Sequence, residues 1–265
     1  MGRGDLSDAE WARLQPCLPR NAGRSGRWQC HRRVINGVPF RLRTGIPWRD
    51  LPRRFGKWQT VYDRHRRWSA DGTWERILRA VQAQADAKGC IDWSLVSVDS
   101  TVCRAHQHAA GTRKRAPRVP GKRTRPTRHR DDEALGRSRG GLTCKIHLAS
   151  AGGRRPLVFV ITPWQWGDAP QLIEVLDRIR RYLRRRQIKH TIPEPANQRA
   201  SRQRRGSAGG RPTGFDKGIY RRRNEAERTM NAIKGFRAVA TRYEKRAYIF
   251  HGSVLVAAIR LWLRS

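Results

Sequence analysis

The chain has 265 residues, 37% hydrophobic and 30% charged, enough apolar material for one large domain or two modest ones and too much for wholesale disorder. Its 58 Lys+Arg outnumber 21 Asp+Glu to give +37, a balance that excludes most ordinary metabolic enzymes and points to a polyanionic partner such as nucleic acid. Five cysteines (Cys17, Cys30, Cys90, Cys103, Cys144) form no CxxC pair, so neither a disulfide framework nor a zinc site is implied, in keeping with a reducing cytoplasm. Of the basic residues 49 are Arg and nine Lys. Arg is the better bidentate phosphate ligand, and a G+C-rich genome would give the same bias. No signal peptide is visible, and the apolar stretch Ala247–Ile259 is too short to span a bilayer, so no membrane partner is expected.

Residues 1–88 read as a small helical domain. Ser7-Asp8-Ala9-Glu10 is a capping-box pattern followed by Trp11, Leu14 and Leu18 at helical spacing. A second apolar pattern runs through Val34, Ile35, Val38 and Leu42, where Pro39 should kink or split the helix. In Trp58–Trp68, Val61, Tyr62, His65 and Trp68 are placed on one face, with Arg64, Arg66 and Arg67 on or near the other as DNA contacts. A further helix runs from Thr73 to about Ala87. Short helices with a basic outer face resemble a helix-turn-helix DNA reader; the bland alternative is a bundle with solvated arginines.

Residues 89–265 have a different period. Leu95, Val96 and Val98 predict a strand that ends at Asp99, while Leu142–Ala149 alternates and Pro156–Thr162 is a buried-strand run. Between the first two lies a basic loop, 112–135, whose core from Arg113 to Arg130 holds nine Lys/Arg, three Pro and no acid, suited to lying along a phosphate backbone. Ala169–Arg186 predicts a helix, His190–Ile192 a short strand, and 197–214 an Arg/Gly/Ser-rich linker. The fold class expected is α/β behind a small helical domain.

Two features could carry chemistry. Asp99, at the end of an apolar strand, is a perch for a metal-binding carboxylate, although strand-ending acids are commonly turn residues. In a helix from about Lys217, Tyr220, Arg223, Glu227 and Lys234 fall on one polar stripe roughly 60° wide at about 100° per residue, with Ala226, Met230 and Ile233 on another side. One acid among Arg, Lys and Tyr suits a metal-holding group beside phosphate-binding ones; the alternative is a solvated face with i,i+4 ion pairs. His106 and His108 lie close to Asp99 in sequence and read as polar loop histidines before metal ligands.

The spacing Tyr220-x2-Arg223-x3-Glu227-x6-Lys234 resembles the tyrosine–arginine–glutamate–lysine signature of bacterial insertion-sequence transposases of the DDE type. LSDAEW, RTGIPWRDLPRRFGKWQTVYDRHRRW (Arg43–Trp68), VDSTVCRAHQHAAG (Val98–Gly111), GRSRGGLTCKIHLA (Gly136–Ala149), TPWQWGDAPQ (Thr162–Gln171) and YRRRNEAERTMNAIKGFRAVATRYEK (Tyr220–Lys245) are similar to the same family, nearly end to end. The resemblance implies an RNase H-like catalytic domain with a mixed sheet flanked by helices. It implies two Mg²⁺ or Mn²⁺ ions held by an Asp–Asp–Glu triad that drives in-line displacement at phosphorus. Asp99 maps onto the first acid and Glu227 onto the last; Tyr220, Arg223 and Lys234 would hold transposon-end phosphates. Double-stranded DNA, both inverted-repeat ends and target, is the implied partner, with a homodimer on DNA and a location at the bacterial nucleoid.

The family's second acid sits on its own apolar strand after the helix that follows TPxQxxD. Here Gln171–Arg180 runs straight into RYLRRRQIKHTIPEP, and Asp168 maps onto the TPxQxxD aspartate, a weak candidate for the second ligand. An interior strand of the sheet is therefore expected to be missing. Trp164 and Trp166 also stand where the family favours small or polar residues. The chain reads as a transposase by descent in a decayed copy. Its rivals are a catalytically dead sequence-specific DNA-binding protein and, more distantly, a basic RNA-binding structural protein.

Overall fold

A computed structural model describes residues 4–19, 30–110, 133–185, 196–210, 212, 216–222 and 224–264. Most of the basic loop (111–132), the strand expected at His190–Ile192, and Arg223 lie outside the described residues. The architecture is mixed α/β: a helical N-terminal region, then a mixed sheet flanked by helices.

Helix α1 (Asp8–Leu14) begins where the capping box puts it, the Ser7 hydroxyl accepting from the Glu10 N–H while the Glu10 carboxylate accepts from the Ser7 N–H. Helix α2 (His31–Thr44) stays continuous through Pro39, so the proline does not split it. Its residues from Val34 to Pro39, with Arg41 and Leu42, are buried, and packing on so many sides outweighs the roughly 3 kcal/mol an interior proline costs. Gly37 lets the neighbouring elements close in, since a Cβ there would meet Val61 and Phe55 at 3.0 and 3.1 Å. Helices α3 (Trp58–Ala70) and α4 (Thr73–Ala87) complete the region, the latter with the bounds its pattern predicts.

The sheet is built on strands β1 (Val96–Ala105), β3 (Gly141–Ala151) and β4 (Arg155–Pro163), which pair antiparallel in the spatial order β1-β3-β4. Between β1 and β3 come the short helix α5 (Gln107–Ala110) and strand β2 (Gly136–Ser138), which pairs with the start of β3. Helix α6 (Asp168–Arg185) runs through Arg180 and Arg181 without a break. The linker expected at 197–214 is corrected in its first half. Helix α7 (Ala196–Arg204) and a 3₁₀ turn at Gly206–Gly209 form there, because Ala, Gln and Arg are good helix formers even with no residue buried.

Helices α8 (Lys217–Arg221), α9 (Asn224–Lys234) and α10 (Arg237–Ala240) precede a two-residue strand β5 (Thr241–Arg242), and α11 (Ala247–Arg264) follows. Strand β5 pairs parallel with β1 at Arg104 and Ala105. From Val96 to Cys103 that edge of β1 has no strand partner among the described residues.

The boundary expected at residue 88 is crossed by the core. Helix α11 is buried from Ile249 to Leu263 almost without interruption and packs on α3, α4 and β4 at once. Gly252 sits against Ser69, where a Cβ would meet the hydroxyl at 2.0 Å, and next to it the His65 Nε2 lies 3.2 Å from the Ser253 hydroxyl. Trp262 Nε1 donates to the Pro156 carbonyl on β4 at 2.7 Å, and Arg13 donates to the Trp262 and Leu263 carbonyls. No helix among the described residues is long and apolar enough to cross a membrane.

A second tie runs from α2 to the segment after β5. Arg41 and Glu244, each 4% exposed, form an ion pair at 2.5 Å, with the guanidinium between the Trp48 and Tyr243 rings. Removing one partner would leave a buried charge uncompensated. Glu244→Ala is therefore expected to destabilise the fold by about 3–5 kcal/mol in urea unfolding, and the double change Arg41→Met/Glu244→Leu by much less.

The helical core also holds neutral imidazoles. Burial, then the Arg41 charge, pushes the His65 pKa down to about 3; burial, then Arg64, pushes His31 down to about 4. The unfolded chain would bind these protons near pH 6.5. The stabilisation is thus complete above pH 6.5 and is lost as pH falls from there towards 4 and 3. Unfolding free energy measured from pH 7 to 4 should drop, and His65→Gln should flatten that drop.

Candidate functional site

Strand β1 runs six residues past Asp99, correcting the expected strand end, because Ser100–Arg104 continues to pair residue for residue with β3. Asp99 stands opposite Leu148, half-buried, and its Oδ1 accepts the Ser100 N–H at 2.8 Å. Strand alternation puts Ser97, Asp99, Thr101 and Cys103 on one face of the sheet and Val98, Ser100, Val102 and Arg104 on the other.

Helix α9 covers the Asp99 face. Ala226, Thr229, Met230 and Ile233 are its buried residues, and the helix lies against β1 and β3. Lys234 acts electrostatically on the Cys103 thiol, which burial and the neighbouring Cys144 push up to about 12. Glu227 is exposed and Lys234 half-buried; seven residues apart, they fall within about 20° on one stripe.

The single helix expected to carry Tyr220, Arg223, Glu227 and Lys234 is replaced by two. Tyr220 lies on α8 and is half-buried, Arg222 is in a turn, and α9 starts at Asn224. Arg222 is held by Asp92 at 2.9 Å, and Asn224, whose side chain competes for backbone groups, suits a helix start better than a helix interior. The stripe therefore holds for Glu227 and Lys234 alone, Arg223 lying outside the described residues.

Asp168, the first residue of α6, belongs to the opposite face. Its Oδ1 is 3.1 Å from Lys145 Nζ and 3.8 Å from His147 Nδ1. Burial opposes its ionisation, but hydrogen bonds from Lys145 and the Ser100 hydroxyl outweigh that and hold its pKa below the usual value. His147 is buried, hydrogen-bonded to Thr162 at 2.8 Å, and its pKa is lowered by desolvation. Lys145 and His147 were not singled out from sequence. Their signal was the alternation of LTCKIHLA, which places both on one face above the start of α6.

His106 and His108 meet edge to face with ring centroids 4.5 Å apart, and the His106 ring also packs on Tyr243 at 4.9 Å. Among the described residues no group of three or more His, Cys, Asp or Glu side chains is arranged to hold a metal ion. With Asp99 and Asp168 on opposite faces of β1, the donors present do not fit a two-ion site.

Arg64 is corrected from a DNA contact to a core residue. Only 7% exposed, it lies over the Trp68 ring at 5.1 Å and 3.5 Å from His31 Nδ1. Positions 61, 64, 65 and 68 form one i, i+3, i+4, i+7 stripe, and all four are buried. Arg66 and Arg67 are exposed.

Residues 6–78, which include α1 to α3, match the family described as "Putative transposase of IS4/5 family". The chain is 35% identical over 112 residues to the "Insertion element IS402 uncharacterized 16.2 kDa protein" of Burkholderia cepacia, a match covering 40% of this chain and 76% of that one. The chain belongs to the IS4/5 transposase family. The uncharacterized protein y4sN of Sinorhizobium fredii (strain NBRC 101917 / NGR234) is a second relative, 34% identical over 110 residues, 41% of this chain and 83% of that protein. No solved structure matches.

In this transposase-family chain the three arginines of α3 separate cleanly by experiment. Arg64→Ala should lower stability by about 1–3 kcal/mol through lost packing, whereas Arg66→Ala and Arg67→Ala should stay within about 0.5 kcal/mol of the parent in thermal melts.

Proposed function

We propose that this chain is an insertion-sequence transposase that retains DNA binding and has lost strand cleavage. Its sheet is read as RNase H-like, with Asp99 and Glu227 as the remaining two of three metal-ligand positions. Membership of the IS4/5 family supports the transposase-like activity class. The observation that carries the loss is that Asp168, the candidate for the second acid, lies with Lys145 and Ser100 on the face of β1 opposite Asp99.

Each remaining group has an assigned task. Arg66 and Arg67, exposed on α3, contact duplex phosphates together with the basic loop at 112–135, and +37 overall supplies the attraction. Lys234 and Tyr220, with Arg223, bind the phosphates of the element end near Glu227. With two of the three carboxylates of the implied triad placed, the donors fall short of the set that two-metal in-line displacement requires, so no cleavage step is assigned. The DNA-bound form is proposed to be a homodimer.

Duplex affinity should fall by about 10³-fold between 50 and 200 mM salt, the loss expected for roughly six phosphate contacts, and Arg66→Ala/Arg67→Ala should weaken binding at every sequence. A nicking assay on inverted-repeat DNA with Mg²⁺ or Mn²⁺ should give no product. A flat salt dependence would remove the DNA-binding assignment, and metal-dependent cleavage lost in Asp99→Ala would show that a second acid is in place.

A further inference from the structure

The sheet face turned away from Asp99 carries an unusual combination for a protein interior surface. Trp166 is 46% exposed and Val102 37% exposed, so neither is part of the core. They belong to one patch. Val102 stands opposite Lys145 on the same face, and Lys145 Nζ donates to the Trp166 carbonyl at 3.1 Å and lies 5.0 Å from the Trp164 ring centroid. Arg104, two residues after Val102 on that face, is exposed, and its guanidinium runs beside Gly140 of the β2–β3 turn.

The loop bearing the tryptophans is held in place. The Trp166 N–H donates to the Pro163 carbonyl at 3.2 Å. Gly136 of β2 sits so close to the Trp164–Gln165 backbone that a Cβ would meet the Trp164 nitrogen at 2.8 Å. The aromatic surface is therefore presented by a fixed turn at the end of β4, against β2.

An indole facing solvent from a held turn, on a face that also carries an exposed arginine, is the chemistry that receives unpaired bases. The ring stacks on any base face, while the cations track the phosphates. A duplex cannot use it, because its bases are already stacked. Lys145 is partly neutralised by Asp168, so Arg104 is the main phosphate contact.

We infer that this face binds single-stranded DNA, with Trp166 as the stacking platform and Arg104 as its phosphate partner. The inference deepens the reading of the chain as a DNA-binding transposase by giving it a site for unpaired strand beside the duplex-binding helices.

The test uses the full chain and a fluorescein-labelled oligothymidine, read by anisotropy. Trp166→Ala should weaken binding by about fivefold or more, the lower end for loss of one stacked base. Trp166→Phe should restore most of it, and Arg104→Gln should reduce the slope of log affinity against log salt by about 0.7. Duplex affinity should be unchanged in all three. Oligothymidine binding that is equal in Trp166→Ala and parent would overturn the inference while leaving duplex binding intact; loss of both in the parent would overturn the functional reading itself. Tighter Trp166-dependent binding of oligouridine would assign the face to RNA instead. Trp166→Ala that changes only the sedimentation of the protein would assign it to a contact between copies.

Discussion

Burial of α11 against two structures at once is the constraint on which the rest of the molecule depends. The helix is apolar around nearly its whole circumference, so it needs partners on every side. It finds them in α3 and α4 on one side and β4 on another, with Gly252 and the Trp262 indole fixing the two approaches. Its one buried charge near the end, Arg260, is answered by Glu10 at 3.0 Å, which ties α1 to the same helix. The helical region and the sheet are thereby one hydrophobic core. The pose of the exposed Arg66 and Arg67 relative to Asp99 follows from that shared packing and from the Arg41–Glu244 pair.

The same core explains why the sheet persists with a short partner on one edge. Strands β1, β3 and β4 pair over most of their length, and helices α9 and α11 supply burial for Ile146, Leu148 and Phe159. The energetic support comes from the faces, and among the described residues the other edge of β1 pairs with two residues of β5.

Much of this was legible in residues 1–265 without coordinates. The capping box at Ser7 and Glu10 marked the start of α1, and the alternation of LTCKIHLA and the run PLVFVIT marked β3 and β4 within two residues. The buried side of α9 was read from Ala226, Met230 and Ile233. Three readings failed for separate reasons. Local rules about proline lost to tertiary packing around α2. Arg64 was placed by its charge when its spacing with Val61, His65 and Trp68 already put it inside. Asp99 was taken as a strand end because polar residues follow it, whereas Ser100 to Ala105 pair through backbone groups that a hydrophobicity pattern does not register. The opposite faces occupied by Asp99 and Asp168 depend on register and on the entry of α6, which no local pattern contains.

The dependence of α3 and α4 on α11 has a consequence in time. Between Ala87 and Ala247 lies chain that takes on the order of ten to thirty seconds to emerge at ~5–20 residues per second. During that interval the faces of α3 and α4 that α11 will cover, with His65 and Trp74 among their residues, have no native partner. A nascent chain in that state exposes apolar surface that the finished protein buries, so the order of synthesis sets how long that surface stands open to association.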